Sequence, residues 1–241
     1  VGSEMCIRDR FNAVIESIKH AWLRAVLLVV WPLCGLSIVL YSKVVIPTWV
    51  LPLALTTSAL YALRMLSLRE VNQWNGFLAT SLWSLLWLAT MQDTSEILLY
   101  SYALSMSAPL VLLVLLSAGL EQRFGAAYTE LYSGLARTIP RYAGVLVTVV
   151  VAAIATPLFP TFFIMLEMVV ETISATPFAA MALLFIWLLW SWAGARLIQG
   201  LIVGRASDIK IVDMNITTIS LFSLVLMALI VAGIYLSGVI L

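Results

Sequence analysis

The sequence predicts an all-α polytopic membrane protein of about seven transmembrane spans, one of them a discontinuous, broken helix. Three observations carry this. Hydrophobic residues make up 63% of the 241, charged ones only 10%, and the mean hydropathy is +1.08, whereas a soluble domain keeps about a quarter of its residues charged. Apolar windows of about twenty residues, the length that crosses a hydrocarbon core of roughly 30 Å, recur along the chain. One apolar segment also carries two prolines at its middle, in "ATPLFPTFF".

Six windows are straightforward: 21–42, 44–66, 75–91, 96–120, 177–203 and 215–240. The segment from Tyr142 to Ala175 is about thirty-four residues, long for one straight helix at 1.5 Å per residue and short for two full spans with a turn. Pro157 and Pro160 cannot both sit in an uninterrupted helix, because each removes a backbone donor and clashes with the preceding turn.

Loop charge chooses between one crossing and two. With one crossing, Lys19, Arg24, Arg64, Arg69, Arg123, Arg137, Arg141, Arg196, Arg205 and Lys210 fall on one side and only Lys43 on the other. With two, Arg196, Arg205 and Lys210 change sides and the bias shrinks. The expectation is therefore seven spans in the cytoplasmic membrane, with the Phe11 end cytoplasmic and Leu241 outside. A break inside a bilayer frees N–H and C=O groups where there is no water. It is either an ion-lining break of the kind transporters use or a proline kink packed by its neighbours.

The opening "VGSEMCIRDR" is neither a signal peptide nor a span, having no apolar core or small-residue cleavage site. The codons GTG GGC TCG GAG ATG TGT ATA AGA GAC AG(N) encode these ten residues in order. That string is the tail of a transposase-inserted sequencing-library adapter, so residues 1–10 are read as an artefact and 11–241 as a single transmembrane domain, part of a longer natural protein. The other reading is a genuine polar tail.

Composition also excludes functions. A net charge of +1 with no basic block offers nothing to nucleic acid. Two cysteines, Cys6 and Cys34, and one histidine, His20, supply no disulfide framework, metal cluster or haem ligand pair. No cofactor, metal site or catalytic centre is expected.

Ionisable residues within or bordering a span are functional candidates by default. Glu167 and Glu171 sit at i,i+4 spacing on one face, beyond the proline break; they are either a proton-exchanging pair or a solvated helix end. Glu96 opens the fourth span beside Asp93, where a proton-path role competes with simple capping of a helix N-terminus. Histidine is the side chain whose ordinary range suits proton exchange, but His20 stands next to Lys19 at the boundary, where it can equally be a solvated interfacial residue. Tyr100, Ser101, Tyr102, Ser105 and Ser107 form a polar stripe ending at Pro109, able to hold water or to bond another helix. Trp83, Trp87, Trp187, Trp190 and Trp192 read as lipid or packing residues.

Several stretches in order resemble one family. "TSALYALRMLSLREVNQWNGFLATSLWSLL" is similar to its apolar span, "D-L-K-R-x-x-A-Y-S-S" loop and next span. "LVLLSAGLEQRFG" resembles "F-L-x-x-G-x-L-x-x-R". "LYSGLARTIPRYAGVLVTVVVAAIATPLFPTFFIMLEMV" resembles "Y-G-G-L-A-x-x-M-P" and a discontinuous helix with "L-P-G-x-x-G-F-x-x-E". The family is the proton-translocating membrane subunits of complex I (NADH:quinone oxidoreductase, subunit M-like), shared with the multi-subunit cation/proton antiporters. The resemblance covers nearly the whole chain after Phe11 and corresponds to the C-terminal half of the family's spans.

What the resemblance implies is a membrane subunit of such a complex, a non-redox part of a translocase, contributing to transport of protons or monovalent cations beside other membrane subunits in the lipid bilayer. Alternatives are a scaffold subunit with a degenerate relay, or the antiporter-like partner of an inorganic-carbon uptake complex. The departures are specific. The family's lysine is missing from the span of Ala25 to Tyr41, its histidines from Ala79 and from Met106 or Ser107, and its broken-helix acid or lysine falls at Met165. The family's loop lysine aligns with Arg69, whose guanidinium stays protonated.

Overall fold

The structure, a computed structural model, describes residues 18, 20–42, 46–92, 94–125, 127–128, 134–204 and 212–240. The adapter reading of residues 1–10, and Lys19, Lys43, Asp93, Arg205 and Lys210, lie outside the described residues. Among those described there are nine helices: α1 Ala21–Ser42, α2 Val50–Met65, α3 Val71–Met91, α4 Glu96–Phe124, α5 Leu135–Thr138, α6 Pro140–Ala153, α7 Pro160–Ala175, α8 Pro177–Ile202 and α9 Ile216–Ile240. Helices α1, α4, α8 and α9 are long and apolar enough to cross a membrane, and α2 and α6 are shorter apolar helices. The chain is a multi-pass, all-α membrane protein.

Its layering follows from which helices carry polar groups. α3 holds Asn72, Asn75 and Ser81, and most of its residues are buried; α3 and α4 pack together at the centre. The least buried of the long helices, α1 and α9, are the most apolar of them. α1 touches α4 through one stripe, Arg24, Leu28, Pro32 and Leu36, at the four-residue spacing that shares a face. Trp22, Val26, Val30, Trp31, Ile38 and Tyr41 on its other faces stay exposed. An apolar exterior is the expected arrangement for a protein solvated by lipid, where polar groups need partners from neighbouring helices.

Where helix ends depart from the apolar windows, local chemistry explains it. α3 begins at Val71 rather than 75 because its first turn, "VNQW", is polar yet helical, with Trp74 N donating to the Glu70 carbonyl at 2.9 Å. α2 begins at Val50 because Pro47 and Thr48 form a turn that accepts the Val50 and Leu51 N–H groups at 3.0 and 3.3 Å. α4 runs on to Phe124 and stops at Gly125, whose φ of 81° suits glycine and whose N–H bonds the Glu121 carbonyl at 2.8 Å.

The segment predicted to be broken is broken. α6 ends at Ala153 and α7 starts at Pro160, so Pro160 occupies the first helical position, where a missing donor costs nothing, and exposed Pro157 lies in the turn between. Ala155 (φ 56°) and Leu158 (φ 88°) take left-handed conformations without being glycine, an uncommon state held by surrounding contacts. Trp187 Nε1 of α8 donates to the Ala155 carbonyl at 2.9 Å, and Thr156 Oγ1 donates to the Val151 carbonyl at 2.8 Å. Gly233 of α9 lies against the backbone of Leu158 and Phe159.

Side-chain contacts fix which helix ends lie together. The start of α1 and the start of α3 both meet the end of α4, through Arg24, Asn72 and Glu121. The start of α6 joins them, since the Tyr142 hydroxyl donates to the Leu116 carbonyl, Arg123 stacks 5.1 Å over the Tyr142 ring, and Asp213 accepts the Arg141 and Tyr142 N–H groups at 3.0 and 3.1 Å. Late in α8, Arg196 lines a cavity with Arg69 of the α2–α3 turn. At the other end, Gln92 near the end of α3 reaches Thr172 of α7 at 3.5 Å. The segment 140–175 thus starts at the arginine-bearing end and finishes at the opposite one, and α6 and α7 do not pack side by side as the hairpin α2/α3 does.

Candidate functional site

At the end away from the arginines, α7 and α4 come together over a carboxyl. Glu167 is half-buried, two turns beyond Pro160, and accepts a hydrogen bond from the hydroxyl of Tyr102, itself 1% exposed. A phenol can donate and accept at once, so the pair couples one titratable group to the α3–α4 interior. Glu171, one turn further on, is exposed, as the sequence allowed for a helix end. Glu96 is also exposed, in the first turn of α4, where a negative charge suits the helix dipole. Only Glu167 of the three is drawn inside.

The polar stripe on α4 is distributed among three partners. Tyr100 meets Ser37 of α1 at 3.0 Å, Tyr102 meets Glu167, and Ser107 accepts from Trp83 Nε1 of α3 at 3.3 Å. These three bond helix to helix, while Ser101 Oγ donates to the Ile97 carbonyl of its own helix at 2.9 Å. A second neutral cluster lies deeper: Ser58 and Ser81 hydroxyls are 2.9 Å apart, and Trp190 Nε1 donates to Ser81 Oγ at 2.8 Å. The single positions within the spans at which the resemblance implies ionisable groups are interior, Ala79, Met106 and Met165 at 0% exposure and Ser107 at 1%. They are buried, and none carries charge.

At the arginine end a second charged group is drawn inside that sequence reasoning missed. Arg24 is 8% exposed; its Nε donates to the Ile18 carbonyl at 2.7 Å and its Nη1 is 3.7 Å from Glu121 Oε1. The same Glu121 oxygen accepts from Asn72 Nδ2, and Asn72 Oδ1 accepts from Ser117 Oγ at 2.5 Å. Glu121 opens onto a cavity of ≈ 620 Å³ that exposed His20 also lines. The signal that could have found this network was an acid directly following the end of a long apolar window. Arg69, by contrast, is exposed and sits in a different cavity. Among the described residues there is no group of three His, Cys, Asp or Glu that could hold a metal ion.

No protein-family model matches the chain, and no curated protein matches it. Solved structures do. A chain of the respiratory complex I from Thermus thermophilus with bound NADH superposes with a TM-score of 0.66 at 17% identity, over 78% of this chain and 40% of that one. A chain of the membrane-bound sulfane sulfur reductase (MBS), an archaeal respiratory membrane complex, gives 0.69 at 19%, over 79% and 39%. A chain of the Mrp complex from Dietzia sp. DQ12-45-1b gives 0.60 at 18%, over 66% and 30%. The protein spans no more than two fifths of the length of these chains, and what it shares with them is the fold of a part of each.

Proposed function

We propose that the protein is a membrane subunit of a multi-subunit complex of the complex I and cation/proton antiporter kind, and that it contributes to proton movement through Glu167. In this reading the chain has seven spans, with α6 and α7 forming one discontinuous span, and it lies in the cytoplasmic membrane with its arginine end facing the cytoplasm. The positive-inside bias supports that orientation. The observation that carries the proposal is the Tyr102 to Glu167 bond: the one acid in α7 that is drawn into the bundle is held by the central helix, just past a helix break. Proton-path roles for Glu171, Glu96 and His20 are weaker, since all three are exposed.

Glu167→Gln in the full-length protein, reconstituted in vesicles with the complex it purifies with, tests this. Proton uptake is expected to fall severalfold, with Glu171→Gln falling less; unchanged uptake in an assembled complex overturns it. A second reading is supported by a specific observation, the full burial of Ala79, Met106 and Met165. A subunit that keeps the helical packing while carrying neutral side chains at these positions serves as a scaffold for the rest of an assembly.

A further inference from the structure

The α2–α3 turn and the last turns of α8 enclose a cavity of ≈ 560 Å³, within the size range of small-ligand sites. Arg69, Arg196, Ser67 and Gln199 line it, together with Trp74, and among the described residues no acidic one does. Arg69 engages neighbours of its own. Arg196 makes no ion pair among the described residues, so the unmatched charge in the cavity is its guanidinium. Trp74 is 1% exposed, and its indole N–H is buried without a hydrogen-bond partner, an uncommon state for a buried donor. The described lining therefore offers a fork-shaped cationic donor in Arg196, a hydroxyl and an amide, and carries no acid. That donor set matches a phosphate, which guanidinium groups grip in bidentate fashion.

The surface leading from the cavity adds the second half of a ligand. Trp192, Leu188 and Leu184 follow Arg196 at four-residue steps towards the middle of α8, and they are 58%, 61% and 49% exposed. On α2, Leu63 lines the cavity at 44% exposure, and Leu60 beside it is 60% exposed. An apolar track thus begins where the guanidinium stands, and basic pockets between helices near a bilayer surface are known to seat anionic headgroups. We propose that this cavity binds the phosphate of an anionic phospholipid, with Arg196 and Arg69 holding the headgroup and the acyl chains lying along the exposed stripe of α8.

The full-length protein, purified in detergent with whatever partners accompany it, is titrated with phosphatidylglycerol and with phosphatidylcholine, and retained lipid is counted by native mass spectrometry. Phosphatidylglycerol is expected to bind in preference. At roughly one basic residue's worth of surface attraction, Arg196→Gln should weaken it about fivefold, and the Arg69→Gln/Arg196→Gln pair by more than tenfold. Arg196→Lys, which keeps the charge but not the fork, should lose less than Arg196→Gln, which separates loss of charge from misfolding, and Arg141→Gln, at the same end but outside the cavity, should change nothing. Retention unchanged in the cavity variants, or an equal loss in Arg141→Gln, overturns the proposal. If millimolar inorganic phosphate displaces the lipid and stabilises the protein in its absence, the cavity is a phosphate site and the lipid half of the proposal falls.

Discussion

A single methyl group tests how the break is held. Gly233 faces the break from α9, and a Cβ built there would lie 2.4 Å from the Leu158 carbonyl oxygen and 3.1 Å from Phe159 C and Pro160 N. The first contact is about 1 Å inside the ~3.5 Å optimum for non-bonded atoms. The atoms in the way are backbone, so no rotamer change relieves the clash, and Leu158 already holds a φ of 88°. Overpacking costs about 1–3 kcal/mol, here at the upper end; replacing glycine by alanine inside a helix returns roughly 0.5–1 kcal/mol. Gly233→Ala should therefore destabilise by about 2 kcal/mol, a fall in melting temperature of roughly 4–8 °C for a chain of this size. Gly238 in the same helix has nothing within 4 Å of its virtual Cβ, so Gly238→Ala should be neutral or slightly stabilising. Thermal unfolding of the two variants in one detergent decides the matter. Equal melting temperatures would refute the seating of α9 on the break.

Three further outcomes are expected. Gly194→Ala would place a methyl 2.8 Å from the Ile154 side chain, costing about 1–2 kcal/mol; Ile154→Ala in the same chain should recover part of that, a coupling read in a double-mutant cycle, and strict additivity would show that the two do not touch. Ser81→Ala strands the buried Trp190 indole N–H and should lower stability by about 1–3 kcal/mol, whereas Ser58→Ala leaves that donor bonded and should cost about 0.6 kcal/mol; thermal melts reversing this order would refute the cluster. With Cys6 and Cys34 replaced, single cysteines at exposed Ala136 and Ser174, one on each side of the segment, should label from opposite sides of the membrane, and labelling from the same side would refute a single crossing by 140–175.

The spans were legible because lipid demands long apolar runs, and α1, α8 and α9 begin within a residue of where hydropathy put them. Hydropathy measures transfer, not helicity, so it overlooked the polar first turn of α3 and the Glu121–Phe124 end of α4. The break was legible from Pro157 and Pro160, yet its strained residues are Ala155 and Leu158, and no glycine announces them. Their conformation is set by Trp187 and Gly233, which are distant in sequence. For the same reason Glu167 and Tyr102, 65 residues earlier, were named apart and not as a pair. The Arg24–Glu121 pair was not named at all, because each looked like an ordinary helix-end charge until α1 and α4 were packed together.

The two functional readings part over what the Tyr102 to Glu167 bond is for. As a scaffold contact it ties α4 to α7, and polar bonds between membrane helices average about 0.6 kcal/mol. As part of a transport path, what matters is that the carboxyl can gain and lose a proton. Two substitutions separate these roles. Glu167→Gln keeps an acceptor oxygen for the Tyr102 hydroxyl, so it preserves the tie and abolishes titration. Tyr102→Phe removes the tie and leaves the carboxyl able to titrate. If Glu167 moves protons, the first variant loses transport while melting as the wild type does, and the second loses stability first. If the pair is only glue, Tyr102→Phe is the damaging change and Glu167→Gln is silent in both assays. Thermal unfolding ranks Tyr102→Phe below Glu167→Gln under both readings, whereas proton uptake measured on the same two preparations reverses its order between them, and a transport loss confined to Tyr102→Phe would refute the role given to Glu167.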